Sequence, residues 1–219
     1  MVFLLSSSIV LPVVAGSAKV RTAIGDKKVD VQPITQGDAS AGKYKSENER
    51  CQECHGSDGN ANSNGPEGRV AKLAGQYPEY IVKQIRDFRT GERKHDFMSM
   101  MAKSIDDADL ADIAAYFARQ NKMHGDGNGD NAVGKDLFVN GNASRNILPC
   151  ISCHASGGTP VGNPRSPVIE GQEWRYLEKQ MIDWRSGERN NSTNGVMNKI
   201  AKSLTDAEIQ ALADYISGR

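Results

Sequence analysis

Apolar side chains recur every three or four residues in several segments of this chain, which is the spacing of amphipathic helices. Residues 78–90 show the pattern behind Pro78, a residue that favours the first turn of a helix. The apolar face consists of Ile81, Ile85 and Phe88. The pattern therefore predicts a helix over 78–90.

Two further segments follow the same rule. Residues 106–120 begin with an aspartate and predict a second helix, and residues 38–50 predict a third, started by Asp38 or Ser40. The stripe of the second helix consists of Leu110, Ile113, Ala114 and Phe117. Because no useful run shows the two-residue period of a strand, we predict an all-α fold.

The helical pattern occurs twice along the chain. Gly75-Gln76 matches Gly171-Gln172 at an offset of 96 residues, and the C-terminal helices match at an offset of 99 because three extra residues stand at 190–194. The pairs at offset 96 include Tyr80/Tyr176, Lys83/Lys179, Gln84/Gln180, Asp87/Asp183, Arg89/Arg185 and Arg93/Arg189. The repeat predicts two more helices, over 173–185 and 205–217.

The repeat sets the expected domains. Residues 38–122 and 132–219 are two copies of one helical unit, joined by a linker at 123–131 whose composition favours turns and flexibility. The acidic spacing of the linker resembles a calcium loop. We reject an EF-hand because Asn131 stands where that loop needs Gly and Leu137 stands where it needs Glu.

Composition changes this picture in one respect. Of the 219 residues, 38% are apolar and 6% aromatic, which is little for two small units that must each bury a core. A mean hydropathy of −0.54 excludes a polytopic membrane protein. The 27 basic and 27 acidic residues balance, which argues against a nucleic-acid partner held by bulk charge. We expect a bound group to complete the cores.

All four cysteines fall in two copies of one short motif. The runs are Cys51-Gln52-Glu53-Cys54-His55 and Cys150-Ile151-Ser152-Cys153-His154. Each is a C-x-x-C-H sequence, the attachment signature of c-type haem. Two thiols one helical turn apart can each add to a vinyl group of one porphyrin, and the next residue is the proximal ligand of the iron. We predict two covalently bound haem c groups on Cys51, Cys54, Cys150 and Cys153, with His55 and His154 as iron ligands.

Three other interpretations of the cysteines are weaker. A thioredoxin-like site needs a surrounding βαβ pattern, which is not visible. A zinc site built from four cysteines leaves two histidines in matching positions without a role. Two C-x-x-C disulfides would close very small loops and stabilise little.

The seven methionines include one pair that obeys the repeat. Met98 and Met197 are 99 residues apart, and each stands 43 residues after its motif histidine. A Met thioether opposite His raises a haem potential. We predict that Met98 and Met197 are the sixth iron ligands, with Met100 or Met101 as the alternative in the first copy. Met181 maps onto an apolar helical face and is expected in the core.

The remaining histidines, His95 and His124, have no counterparts in the repeat. We interpret both as solvated surface residues, with His95 as a minor alternative iron ligand.

The N-terminus has the pattern of an export signal. Residues 1–18 carry no charged side chain and end in small residues, with Gly16 and Ala18 at positions −3 and −1 of a cleavage site. The apolar run is too short for a comfortable transmembrane helix. No basic residue precedes it, so a retained anchor with peripheral membrane association is the alternative. Residues 19–37 are expected to be a flexible leader.

Residues 38–219 resemble the dihaem cytochromes of the cytochrome c4 family, two class I cytochrome c domains in tandem. The resemblance is carried by the two C-x-x-C-H motifs and by Leu73-Ala74-Gly75-Gln76, Tyr80, Lys83-Gln84-Ile85, Met98, Gly171-Gln172, Tyr176, Lys179-Gln180, Met197 and Ser203-Leu204-Thr205-Asp206. It implies haem with His/Met ligation in each domain and haems close to each other. It also implies a periplasmic electron carrier between a quinol–cytochrome c reductase-type donor and a terminal oxidase.

Two alternatives remain beside the electron carrier. One is the cytochrome subunit of a flavocytochrome c sulfide dehydrogenase, whose catalysis sits on a separate flavoprotein. The other is a dihaem peroxidase or thiosulfate-oxidising enzyme, which needs an open or unusual sixth iron position. The two matched His/Met pairs argue against the second.

One position departs from the family pattern. The family has a proline whose carbonyl accepts the N–H of the proximal histidine, and this chain has Pro167 there in copy two but Ala71 in copy one. We expect Ala71 to make the same bond from a less restrained backbone, which would help separate the two haem potentials.

Overall fold

The structure is a computed structural model, and it describes residues 37–61, 69–154 and 166–219. The predicted export signal and all but the last residue of the predicted leader lie outside these ranges. The described residues hold no strand, and a lone antiparallel bridge joins Asn142 and Ile147. The all-α prediction is confirmed. In the same part of the chain, no helix is both long and apolar enough to cross a membrane.

The described helices fall into two sets, here named the first and second lobes. The first lobe holds α1 (Ala39–Asn48), α2 (Cys51–His55), α3 (Pro78–Thr90), α4 (Asp96–Ser104) and α5 (Asp107–Ala118). The second lobe holds α6 (Ala132–Asn140), α7 (Trp174–Ser186), α8 (Val196–Lys202) and α9 (Asp206–Ser217). Short 3₁₀ turns lie at Ala143–Arg145, Cys150–Ser152 and Thr193–Gly195.

The five predicted helices are present, and each boundary agrees with the prediction within two residues. Polar caps explain where they start: the Asp38 side chain accepts from Ser40 N at 2.8 Å, and Asp106 accepts from Asp109 N at 2.7 Å. At α9, Thr205 and Glu208 form a capping box. The four helices α2, α4, α6 and α8 were not predicted, because none of them is longer than nine residues.

Each lobe buries its own apolar cluster. The cluster of the first lobe is Ile81, Val82, Ile105, Leu110, Ile113, Ala114, Tyr116 and Phe117. The cluster of the second lobe is Leu137, Phe138, Ile147, Leu177, Leu204, Ile209, Leu212, Ala213, Tyr215 and Ile216. Met181 packs against the second cluster, as predicted. The motif cysteines Cys51 and Cys150 pack against these clusters, so each haem motif borders a core.

Each lobe also packs its first helix against its last at a glycine. A Cβ on Gly42 of α1 would lie 1.9 Å from the Asp112 carbonyl oxygen of α5. A Cβ on Gly134 of α6 would lie 2.1 Å from the Ala211 carbonyl oxygen of α9. The backbones therefore meet more closely than any larger residue permits.

The segment between the lobes lies along α9. The N–H groups of Asp126 and Gly127 both donate to Ser217 Oγ at 3.2 Å, and Asn128 N donates to Asp214 Oδ1 at 2.9 Å. The turn-forming residues of this linker thus hold it against the second lobe by hydrogen bonds.

Two buried arginines join the lobes to each other. Arg93 donates from Nη2 to Gln180 Oε1 at 2.7 Å, and Arg189 donates from Nη2 to Gln84 Oε1 at 3.1 Å. Their guanidinium groups also bond to tyrosine hydroxyls of the opposite lobe, Arg93 to Tyr176 at 2.9 Å and Arg189 to Tyr80 at 3.1 Å. Because the three participants of each lobe match at offset 96, this network has approximate two-fold symmetry.

Candidate haem sites

The first C-x-x-C-H motif forms a helix of its own. Arg50 precedes it in the left-handed conformation, with φ of 60°, and α2 then runs from Cys51 to His55. This single turn places the Cys51 and Cys54 side chains on one side of the helix. Cys51 packs against the core of the first lobe and Cys54 is exposed.

The second motif makes the same turn with less regular geometry. A 3₁₀ turn spans Cys150–Ser152, and the His154 N–H then donates to the Cys150 carbonyl at 2.8 Å, which closes one helical turn. Cys150 is partly buried and Cys153 exposed, as in the first lobe. The helical spacing that two porphyrin vinyl groups need is therefore present in both lobes.

The cysteines are not paired with one another in the described residues. Before haem is attached, burial raises the pKa of the Cys51 and Cys150 thiols to about 11. Within the described residues, no group of three or more His, Cys, Asp and Glu side chains is placed to hold a metal ion.

Both motif histidines are oriented by a backbone carbonyl. His55 Nδ1 lies 2.7 Å from the Ala71 carbonyl oxygen, and His154 Nδ1 lies 2.8 Å from the Pro167 carbonyl oxygen. A carbonyl only accepts, so each Nδ1 carries the proton and each Nε2 keeps its lone pair. Burial lowers the pKa of both imidazoles, which keeps them neutral. Ala71 thus makes the bond expected of it.

The two candidate sixth ligands stand near the starts of short helices. Met98 is the third residue of α4, and its N–H donates to His95 Nδ1 at 3.3 Å. Met197 is the second residue of α8, and its N–H donates to Ser192 Oγ at 3.2 Å. Both side chains are half-buried, whereas Met100 is 59% exposed. The exposure of Met100 makes it the weaker alternative in the first lobe.

Sequence reasoning missed two kinds of functional contact. His95 is exposed, as predicted, but it also caps the helix that carries Met98. Gln76, Gln172, Arg93 and Arg189 are buried between the lobes. Their signal was present in the repeat, because these polar residues recur in both copies without an explanation inside one copy.

The residues present fit haem c. Each lobe offers a partly buried and an exposed thiol one helical turn apart, beside an apolar core. Each also offers a neutral imidazole whose Nδ1–H is engaged and whose Nε2 is available as a ligand. A metal-ligating histidine in proteins has this arrangement, in which the second ring nitrogen donates to a carbonyl or carboxylate.

Family models match both lobes. The model described as Cytochrome c matches residues 132–219, and the model described as Cytochrome C oxidase, cbb3-type, subunit III matches residues 37–117. Together they cover most of the described chain.

Curated relatives and solved structures agree with this division. Cytochrome c4 of Pseudomonas aeruginosa is 37% identical over 184 residues, which are 83% of this chain and 89% of that protein. A protein of Stutzerimonas stutzeri named thiosulfate dehydrogenase electron acceptor is 33% identical over 93% of this chain and 92% of its own length. The crystal structure of reduced cytochrome c4 from Pseudomonas stutzeri is 36% identical, has a TM-score of 0.74 and aligns with 83% of this chain and 98% of its own.

These likenesses confirm the resemblance drawn from the motifs and extend over both lobes. Two cytochrome c domains with one C-x-x-C-H motif each carry two covalently bound haem c groups. The chain is a c-type cytochrome electron carrier, and it belongs to the cytochrome c4 family.

Proposed function

We propose that this chain is a periplasmic one-electron relay. It receives electrons from a quinol–cytochrome c reductase-type donor and passes them to a terminal oxidase-type acceptor. The observation that carries the proposal is the equivalence of the two sites. In each lobe a neutral histidine is oriented by a backbone carbonyl, and a methionine follows it 43 residues later. Haem irons that are closed by a sixth protein ligand suit an electron carrier, whereas an enzyme needs at least one iron with an open sixth position.

We assign the attachment and ligand residues lobe by lobe. In the first lobe Cys51 and Cys54 hold the porphyrin, and His55 and Met98 ligate the iron. In the second lobe the corresponding residues are Cys150, Cys153, His154 and Met197. When bound, the haem supplies reversible one-electron chemistry at the iron.

The remaining task of the protein is to hold these ligands still. The bonds from His55 to Ala71 and from His154 to Pro167 fix the plane of each imidazole. His95 anchors the helix that presents Met98. Ligands that these bonds hold in place would need little reorganisation when a bound haem gains or loses an electron.

The buried arginines match the charge that haem brings. Arg93 and Arg189 are 8% and 7% exposed, and within the described residues their hydrogen-bond partners are neutral. Burying a cation is costly without an anion. Each haem c carries carboxylate side chains, which are anions of the required kind. The Asp87 carboxylate already acts on Arg93 electrostatically, and we infer that haem carboxylates would add to this compensation.

The thioether band in the visible spectrum tests the ligand assignment. The oxidised protein should show a Met–iron band near ~700 nm with the intensity of two haems. Met98→Ala and Met197→Ala should each remove about half of it, because each removes one sixth ligand. Met100→Ala is the matched control and should leave it intact. Full intensity in Met98→Ala, or half intensity in Met100→Ala, would contradict the assignment in the first lobe.

Mature-protein mass tests the location. Export with cleavage after Ala18 predicts a periplasmic protein that begins at Lys19 and carries two haem masses. A membrane-bound protein that retains residues 1–18 would instead support the anchor. Either result leaves the two ligand sets unchanged.

The name of one relative points to a second possible electron donor. The Stutzerimonas stutzeri relative is named thiosulfate dehydrogenase electron acceptor, and the likeness covers nearly the whole of both chains. The second candidate function is therefore acceptance of electrons from a thiosulfate dehydrogenase, with the same two haems and a different donor.

Stopped-flow reduction separates these functions. Rapid reduction by a quinol–cytochrome c reductase, with none by thiosulfate dehydrogenase plus thiosulfate, supports the first candidate, and the reverse supports the second. Thiosulfate added to this chain alone should not reduce it. Direct reduction would favour the thiosulfate-oxidising enzyme, and copurification with a flavoprotein would favour the sulfide dehydrogenase subunit.

A further inference from the structure

Two buried glutamines cross the interface between the lobes. Gln76 of the first lobe is 4% exposed, and Gln172 of the second lobe is 5% exposed. Gln76 Oε1 accepts from Val168 N at 3.0 Å, and its Nε2 donates to Val168 O at 2.8 Å. Gln172 makes the same pair of bonds with Lys72, at 2.7 Å and 2.9 Å. Each amide therefore binds the backbone of the other lobe at two points.

The residues that these glutamines bind adjoin the two histidine sites. The N–H of Val168 and the C=O of Pro167 belong to one peptide group, and that C=O accepts the Nδ1–H of His154 at 2.8 Å. In the same way, the N–H of Lys72 shares a peptide group with the C=O of Ala71, which accepts from His55 at 2.7 Å. Each glutamine thus bonds to the far side of the peptide group that orients the histidine of the opposite lobe.

The turn that presents each glutamine is equivalent in both lobes. Gly75 and Gly171 have φ values of 65° and 72°, in the region where glycine is favoured. The Gly75 N–H donates to Phe117 O at 3.0 Å, and the Gly171 N–H donates to Ile216 O at 3.1 Å. The last helix of each lobe therefore fixes where its glutamine emerges.

We propose that Gln76 is a positioning residue for the His154 site and that Gln172 is a positioning residue for the His55 site, each acting across the interface. The proposal rests on the ligand assignment of the proposed function. It makes the potential of each haem depend on a side chain of the other lobe, through two hydrogen bonds in series that share one peptide group.

The sign of the effect follows from the polarity of a peptide group. A peptide N–H that donates to a strong acceptor makes the C=O of that group a better acceptor, since hydrogen bonds in a chain strengthen one another. A better acceptor draws the histidine Nδ1–H more firmly and raises the basicity of the ligand nitrogen. A more basic ligand favours the oxidised iron. Loss of the glutamine should therefore raise the potential of the haem in the opposite lobe.

The experiment uses the full holoprotein with Gln76→Met. This substitution keeps the length of the side chain and removes both hydrogen bonds to Val168. Each haem is titrated separately through its own methyl resonances, assigned by their contacts to residues of one lobe. We expect the reduced-to-oxidised ratio of the second haem to rise about threefold at fixed potential, equivalent to about 28 mV at 59 mV per tenfold. The first haem should change by less than half as much.

The mirror variant and a conservative variant sharpen the test. Gln172→Met should raise the potential of the first haem instead. Gln76→Glu retains an oxygen that accepts from Val168 N, and it should return the second haem to its original potential or below. Tyr80→Phe is the control, since it removes a different bond between the lobes, that from Arg189, and should not shift one haem selectively.

Several outcomes would overturn the proposal. These are no shift, an equal shift of both haems, or a shift confined to the haem of the mutated lobe. If a variant does not accumulate, the reduced wild-type protein provides a direct measurement, a scalar coupling across the hydrogen bond between the Val168 nitrogen and the Gln76 side-chain carbonyl carbon. Absence of that coupling also overturns it.

The two levels of proposal fail differently. If the methionine ligands are assigned wrongly, the wild-type spectrum will lack the full band at about 700 nm, before any glutamine is changed. If that band has full intensity and the crossed shift is absent, then the proposal on the glutamines fails alone.

Discussion

The two lobes share one scaffold but hold their histidines differently. In the first lobe the motif is a regular helix, His55 is half-buried and its carbonyl partner is Ala71. In the second lobe the motif is a 3₁₀ turn, His154 is 8% exposed and its partner is Pro167. The same hydrogen bond is thus accepted by a freer backbone in the first lobe and by a stiffer backbone in the second, where the histidine is also more buried. Two sites with one ligand set can therefore differ in potential.

The helices that carry the methionines differ more on their outer faces. The face of α4 exposes Phe97 and Met100, at 49% and 59%. In α8 the equivalent positions are Val196, at 37%, and the exposed Lys199. The tyrosine, glutamine and arginine side chains that join the lobes are instead the same in both copies. The two copies are therefore more alike in the side chains that join them than on the exposed faces of α4 and α8.

The largest expected effect is a loss of stability at the point where the first and last helices of each lobe cross. Gly42→Val and Gly134→Val place a branched side chain against a backbone carbonyl, and each should lower the free energy of unfolding by about 3 kcal/mol. Denaturant unfolding with lobe-resolved hydrogen exchange measures this. Lys135→Ala, on the exposed face of α6, is the control and should change stability little. A cost near that of the control would show that the crossing has room to relax.

A smaller effect distinguishes the last helices of the lobes. Arg145 lies 2.6 Å from Glu208 and holds the pKa of this carboxyl at about 2, below its ordinary 4.5. Because the pKa is lower in the folded state, the ionised carboxylate stabilises the fold above pH 4.5. This stabilisation is lost as the pH falls towards 2. Because solvent screens the pair, Glu208→Gln should cost about 1 kcal/mol at pH 7.

The pH series and a double-mutant cycle check this prediction. The difference between the wild type and Glu208→Gln should shrink as unfolding is measured from pH 5 down to pH 2. In an Arg145→Met background, Glu208→Gln should cost much less than it does alone. A difference that stays constant with pH would show that the charge of the Glu208 carboxylate does not carry the effect.

The smallest effect concerns the backbone carbonyls that accept from the motif histidines. Ala71→Pro copies the residue of the second lobe into the first, and it should stabilise the fold by no more than about 1 kcal/mol through the unfolded chain. The stiffer carbonyl should hold the His55 Nδ1–H more firmly and lower the potential of the first haem slightly. A redox titration resolves this shift. An unchanged first-haem potential would mean that backbone restraint at this position does not separate the two sites.

Much of the fold could be predicted because helical information is local. The stripe of Leu110, Ile113, Ala114 and Phe117 is buried as the period required. The caps Asp38 and Asp106 mark their helices because side chain and helix start are adjacent in sequence. The start of α4 was missed for the opposite reason: His95 is a rare N-cap, and it acts only in the geometry that the folded loop imposes.

The haem motifs and the family follow from the sequence without a structure, since thiol spacing within one helical turn and a duplicated pattern are properties of the chain itself. The residues that the motif histidines and the glutamines bind do not follow from the sequence in this way. That His55 bonds to Ala71, 16 residues away, could be expected only from the family resemblance. That Gln76 binds the peptide beside Pro167, 92 residues along the chain, could not be expected at all. Contacts between the lobes depend on how two finished units pack, and only the tertiary structure decides which polar side chains meet there.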